Sequence, residues 1–124
     1  MHFNIKYIDG IFEAKLYGDG DLQGYSGLLE ELFDHPEWKP NSPIMFDETE
    51  LNFRIMTVED VQAIAHLCLL YKKQFGNAKV AILVARDLEF GMNRMWQTFK
   101  DSIDSDISEK IFKSKSEAKS WLAA

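Results

Sequence analysis

Residues 78–99 read AKVAILVARDLEFGMNRMWQTF. Small and β-branched residues run from Ala78 to Ala85 and stop at Arg86-Asp87. A period near 3.6 takes over at once. Leu88, Met92, Met95, Trp96, Phe99 and Ile103 form one stripe, and Phe90, Arg94, Gln97 and Asp101 fall on the far side. The pattern predicts a buried strand over 79–85, a very short turn, and a helix capped by Asp87. Strand, turn and helix in this order form the repeating unit of an α/β sheet domain.

Upstream, residues 3–8 (FNIKYI) and 11–17 (IFEAKLY) alternate apolar and polar around Asp9-Gly10, a strong hairpin signal. Asp21 is placed to cap a helix whose stripe is Leu22, Tyr25, Leu28, Leu29, Leu32 and Phe33. Pro36 ends that helix, and Pro40 and Pro43 keep the next loop non-helical. Ile44-Met45-Phe46 reads as a short central strand, and the polar run 47–56 (DETELNFRIM) as an irregular loop. Thr57 and Asp60 have the spacing of a capping box. The helix they open runs to about Phe75 and stops at Gly76-Asn77, with Val61, Ile64, Ala65, Cys68, Tyr71 and Phe75 as its core stripe.

Downstream, 107–113 holds a last short strand. Ser114 to Glu117 opens a terminal helix docked by Ala118, Trp121 and Leu122. The expected fold is α/β, a single domain over 1–124. Its mixed, mostly parallel five-stranded sheet is opened by a β-hairpin and covered by about four helices.

A chain of 124 residues with 46% hydrophobic content is long enough for a real core. A net charge of −6 argues against a nucleic-acid surface, which needs a cationic face. Lys110, Lys113 and Lys115 alternate with Glu109 and Glu117 and read as a solvated face. Cys68 is the only cysteine, so no intrachain disulfide can form, as expected in a reducing compartment. The start, MHFNIK, does not read as a signal peptide, and the apolar stretch near 63–71 is too short to span a bilayer. A soluble, cytoplasmic protein is expected.

The chemistry-bearing residues point to binding rather than catalysis. His2, His35 and His66 are scattered, and Cys68 has no partner cysteine, so neither a metal nor another cofactor is expected. Cys68 falls on a core stripe, where a thiol is inert. Gly18-Asp19-Gly20 lacks phosphate-loop spacing. Asp47 and Glu48 follow a strand, at the sheet edge where ligands of α/β folds bind. Thr49 joins them there. Arg86, Phe90 and Arg94 follow the neighbouring strand and should emerge at the same edge. Asp47, Glu48, Thr49, Arg86, Phe90 and Arg94 therefore form one candidate recognition surface. Leu67 and Leu70 lie off the main stripe of their helix and mark a candidate homodimer contact.

The T-V-E-D-V helix start at 57–61, the K-V-A-I-L-V-A strand, the D-L-E-F-G-M-N-R-M stretch and the terminal Trp121-Leu122 pair resemble the SpoIIAA-like branch of the STAS superfamily, the anti-sigma-factor-antagonist type. The resemblance implies a β-sheet with four helices and a non-enzymatic, regulatory module that acts through protein contact. Similarity of some such domains to lipid-transfer folds implies an alternative, a carrier or sensor of a small apolar ligand. An enzyme using Asp47 or Glu48 is the weaker option. The phosphorylatable D-S-S-G turn of the best-known antagonists is replaced here by Asp47-Glu48-Thr49-Glu50. A phosphate on Thr49 would meet like charge, so that serine switch is not expected.

Overall fold

The computed structural model describes residues 1–85 and 107–124. The expected strand start of the stretch 78–99 lies inside this range. The expected helix from Asp87, with Trp96 on its stripe and Phe90 and Arg94 opposite, lies outside the described residues.

The opening hairpin forms as its turn residues require. β1 (His2–Ile8) and β2 (Ile11–Asp19) pair antiparallel, with Ile8 opposite Ile11. Asp9 and Gly10 take φ of 53° and 81°, the left-handed pair of a two-residue turn whose twist matches the flanking strands. β3 (Ile44–Asn52), β4 (Lys79–Leu83) and β5 (Ser108–Phe112) follow in parallel, so the five-stranded sheet runs β1-β2-β3-β4-β5. β4 has a neighbour on each side and four buried residues of five, which explains the near-continuous apolar run that announced it.

Two helix layers enclose the sheet. α1 (Leu22–Phe33) and α2 (Val58–Leu70) cover one face, and α3 (Lys72–Phe75) follows α2 after Tyr71. Phe12, Leu29, Leu32, Ile44, Ile64, Phe75, Val80 and Ile82 form the main core between them. α4 (Lys115–Ala123) covers the other face, where Ala118 and Leu122 pack on Met45, Ala81, Leu83 and Phe112. The expected helix over 57–75 is therefore two pieces, broken where Tyr71 leaves helical geometry at φ −97° and ψ 18°. Leu22, placed on the α1 stripe, is exposed.

The caps are as the spacing predicts. The Asp21 side chain accepts from the Gly24 N–H at 2.6 Å. The Thr57 hydroxyl accepts from the Asp60 N–H at 3.1 Å, and Asp60 accepts from the Thr57 N–H at 3.0 Å. Thr57→Ala removes one arm of this reciprocal pair. It should cost about 1 kcal/mol, read as a fall in the urea midpoint at unchanged m-value.

The larger departure concerns residues 47–56. Asp47 to Asn52 are strand, not irregular loop: Lys15 pairs with Asp47, Tyr17 with Glu50, Gly18 with Leu51 and Asp19 with Asn52. Three acidic residues argue against a strand on propensity, but each is accommodated by a specific neighbour. Lys15 forms an ion pair with Glu50, and Asp47 accepts from both the Thr49 N–H and its hydroxyl. Glu48 turns inward, where the Tyr25 hydroxyl donates to it.

Candidate functional site

The site originates in a bulge. Between the Lys15–Asp47 and Tyr17–Glu50 pairs, β2 advances two residues and β3 advances three. The extra residue lets Asp47 and Glu50 both flank Lys15 on the outer face while Glu48 enters the core, and it returns Leu51 to the buried side. Glu48 is 3% exposed, and its Oε2 accepts from the Tyr25 hydroxyl at 3.1 Å.

Glu48 and Tyr25 line a cavity of about 50 Å³ between the sheet and α2. Apolar side chains make most of its wall: Leu29 from α1, Phe46 from β3, Val61 and Ile64 from α2, and Val80 and Ile82 from β4. Cys68 and Phe75 close it along the helix side. Phe53 and Met56, both half-buried, contribute from the turn between β3 and α2. Ile107 and Glu109 contribute from the β5 side, and both carboxylate oxygens of Glu109 are shielded from solvent. The Tyr25 hydroxyl is held well above its ordinary pKa of 10.0, first by burial and then by the neighbouring Glu48 charge and the hydrogen bond to it. Tyr25 therefore stays a neutral donor at physiological pH.

The turn at 53–57 is held by its own bonds. The Met56 N–H donates to the Phe53 carbonyl at 3.0 Å, and the Arg54 N–H donates to Asn52 Oδ1 at 2.9 Å. The Arg54 guanidinium grips Asp19 at the end of β2 through two bonds, Nε to Oδ1 at 3.0 Å and Nη2 to Oδ2 at 2.9 Å. That bidentate bond lowers the Asp19 carboxyl from its ordinary pKa. Gly20 leaves the space into which Met56 packs: a Cβ there would lie 2.9 Å from Met56 Cε.

Half of the expected recognition surface, Asp47, Glu48 and Thr49, falls within the described residues. β3 and β4 do lie side by side and parallel, with Asp47 opposite Leu83. Glu48 lines the cavity, whereas Asp47 and Thr49 bond to each other. Arg86, Phe90 and Arg94 lie outside the described residues. Of the two leucines marked for self-association, Leu67 packs against its own core and Leu70 is 80% exposed. Tyr25, Phe53, Met56 and Glu109 were not among the candidate residues. The alternation of Ile107, Glu109 and Ile111 along one strand carried a signal for Glu109, since it places the carboxylate on the side of two apolar neighbours.

The chain is similar to a solved structure of an uncharacterised protein of the DUF3478 family from Shewanella loihica PV-4, described as having a SpoIIAA-like fold. The two share 23% identity with a TM-score of 0.64, over 98% of this chain and 92% of that one. The fold is thus SpoIIAA-like, as the sequence resemblance implied. No family model matches the chain, and no curated protein matches it. Among the described residues, no helix is long and apolar enough to cross a membrane.

Proposed function

We propose that this SpoIIAA-like fold serves as a non-enzymatic, regulatory binding module in which a small apolar ligand enters the core cavity and alters contact with a partner protein. The observation that supports the ligand half of this reading is the cavity itself. It is walled by aliphatic and aromatic side chains, with Glu48 and Tyr25 as a bonded polar pair inside it. Its size favours a sensor over a bulk lipid carrier. About 50 Å³ is well below the roughly 300 Å³ at which ordinary ligand pockets begin. The exposed apolar side chains Leu69 and Leu70 on α2 support a protein contact near the cavity wall.

Thermal melts in increasing concentrations of indole, a compact apolar probe, test the proposal. A ligand that binds only the folded state raises stability by about 2.7 kcal/mol at a hundred times its Kd. The midpoint should therefore climb with indole in the native protein. It should stay fixed in Cys68→Leu, which fills the cavity from its helix wall. Equal behaviour of the two proteins would remove the ligand reading. Native mass spectrometry of protein purified from its own cell should find a co-purifying small molecule or partner.

A further inference from the structure

A cavity of about 50 Å³ cannot receive a ring compound without moving a wall, since apolar cavities known to admit benzene measure about 150 Å³. Among the described residues, most of this wall cannot move cheaply. Val80 and Ile82 belong to a strand paired on both sides, and Val61, Ile64 and Cys68 belong to one capped helix. The turn at 53–57 differs. It carries Phe53 and Met56 into the wall while Ile55 and Val58, at and beside its tip, are 53% and 47% exposed. Besides the bond from the Gly20 N–H to the Asn52 carbonyl at its base, its side-chain tie to the end of β2 is the Arg54–Asp19 bidentate bond on the surface.

We infer that the turn at 53–57 is an entry to the cavity and that the Asp19–Arg54 pair is its latch. In this structure the guanidinium clamps the turn to the end of β2, and Met56 lies in the space left by Gly20. Breaking the pair frees the turn to lift Phe53 and Met56 away together, because they flank Arg54 on the same short segment. The latch is exposed and electrostatic, so salt weakens it, whereas the apolar contacts of the wall are indifferent to salt. The role of the entry rests on the ligand reading above, but the motion itself can be measured without any ligand.

Cys68 supplies the reporter. It is the only cysteine, it is 9% exposed, and it lines the cavity. The full chain is treated with methyl methanethiosulfonate, and the modified fraction is followed by mass spectrometry. Arg54→Ala and Asp19→Ala should each label on the order of two- to fivefold faster than the native protein, the range open to a surface ion pair. Gly20→Ala, which displaces Met56 without touching the latch, should also label faster. Lys15→Ala, which removes an exposed ion pair on the outer face, should not. Added salt should raise the native rate toward that of the latch variants and leave theirs unchanged. All these rates should be flat in low urea, because local opening exposes little surface. Labelling that is equal in all variants, or that rises steeply with urea, would overturn the latch. If the latch variants label faster but indole never stabilises the protein, the gate stands and the ligand reading falls. If indole binds but labelling ignores both latch residues and salt, the reverse holds.

Discussion

Phe12→Ala should lower the unfolding free energy by roughly 3–5 kcal/mol, a large share of what a domain of this size possesses. Phe12 has no exposed surface, and it joins three parts of the fold. Its ring centroid lies 4.5 Å from that of Tyr7 across the hairpin, and 5.2 Å from those of both His35 and Trp38 beyond α1. Its backbone pairs with Ile44 at the start of β3 and donates to the Pro43 carbonyl at 3.0 Å. Truncation leaves a hole between β2, the end of α1 and the loop that follows, and that loop is tied by Trp38 Nε1 to the Gln74 carbonyl, so it cannot simply collapse inward. Tyr17→Ala, at the exposed far end of the same strand, should cost less than about 1 kcal/mol. Urea titrations of both variants make the comparison. A loss under about 1 kcal/mol for Phe12→Ala would mean the loop closes over the hole.

The second large effect is alkaline and belongs to Tyr25. Its hydroxyl titrates well above 10.0 in the folded protein and near 10 in the unfolded chain. Below about pH 10 both states hold the proton, and the group adds no pH dependence. Above that, the unfolded chain releases the proton while the folded protein keeps it, so stability falls as pH rises toward the folded-state value. The slope for one such group is about 1.4 kcal/mol per pH unit. Tyr25→Phe should remove this slope. At neutral pH it should instead cost about 1–3 kcal/mol, because the buried Glu48 carboxylate loses the hydroxyl donor. Midpoints of urea unfolding at pH 7 and pH 11 measure both. Parallel alkaline losses in native and variant protein would place the responsible group elsewhere.

These two residues also mark how far the amino-acid sequence can be read. Phe12 was assigned to a strand by simple alternation, and Asp9-Gly10 fixed its partner, because a two-residue turn permits only one register for the hairpin. The caps at Asp21, Thr57 and Ser114 were equally legible, since each is a contact between residues three apart. So was the buried strand β4, since a sheet interior admits few residue types but apolar ones. The family-like pattern led to the SpoIIAA-like fold, which the similar solved structure shares.

The site was not legible in the same way. Asp47 to Glu50 has the composition of a loop, and local propensity has no means of knowing that Lys15 and Tyr25 will stand on opposite sides of it. Those partners are 32 to 35 residues away for the outer pair and 23 for the inner one, and only parallel pairing with β2, interrupted by a bulge, brings them together. Alternation would have put Glu50 on the same side as Glu48, and the extra residue reversed that. The cavity follows from the same cause. Its wall draws on α1, β3, the turn at 53–57, α2, β4 and β5, so no window of sequence contains it. Helix and hairpin starts depend on neighbours along the chain and were settled by the sequence alone. The buried carboxylate, its tyrosine donor and the space beside them depend on which distant surfaces meet, and tertiary packing alone decided that.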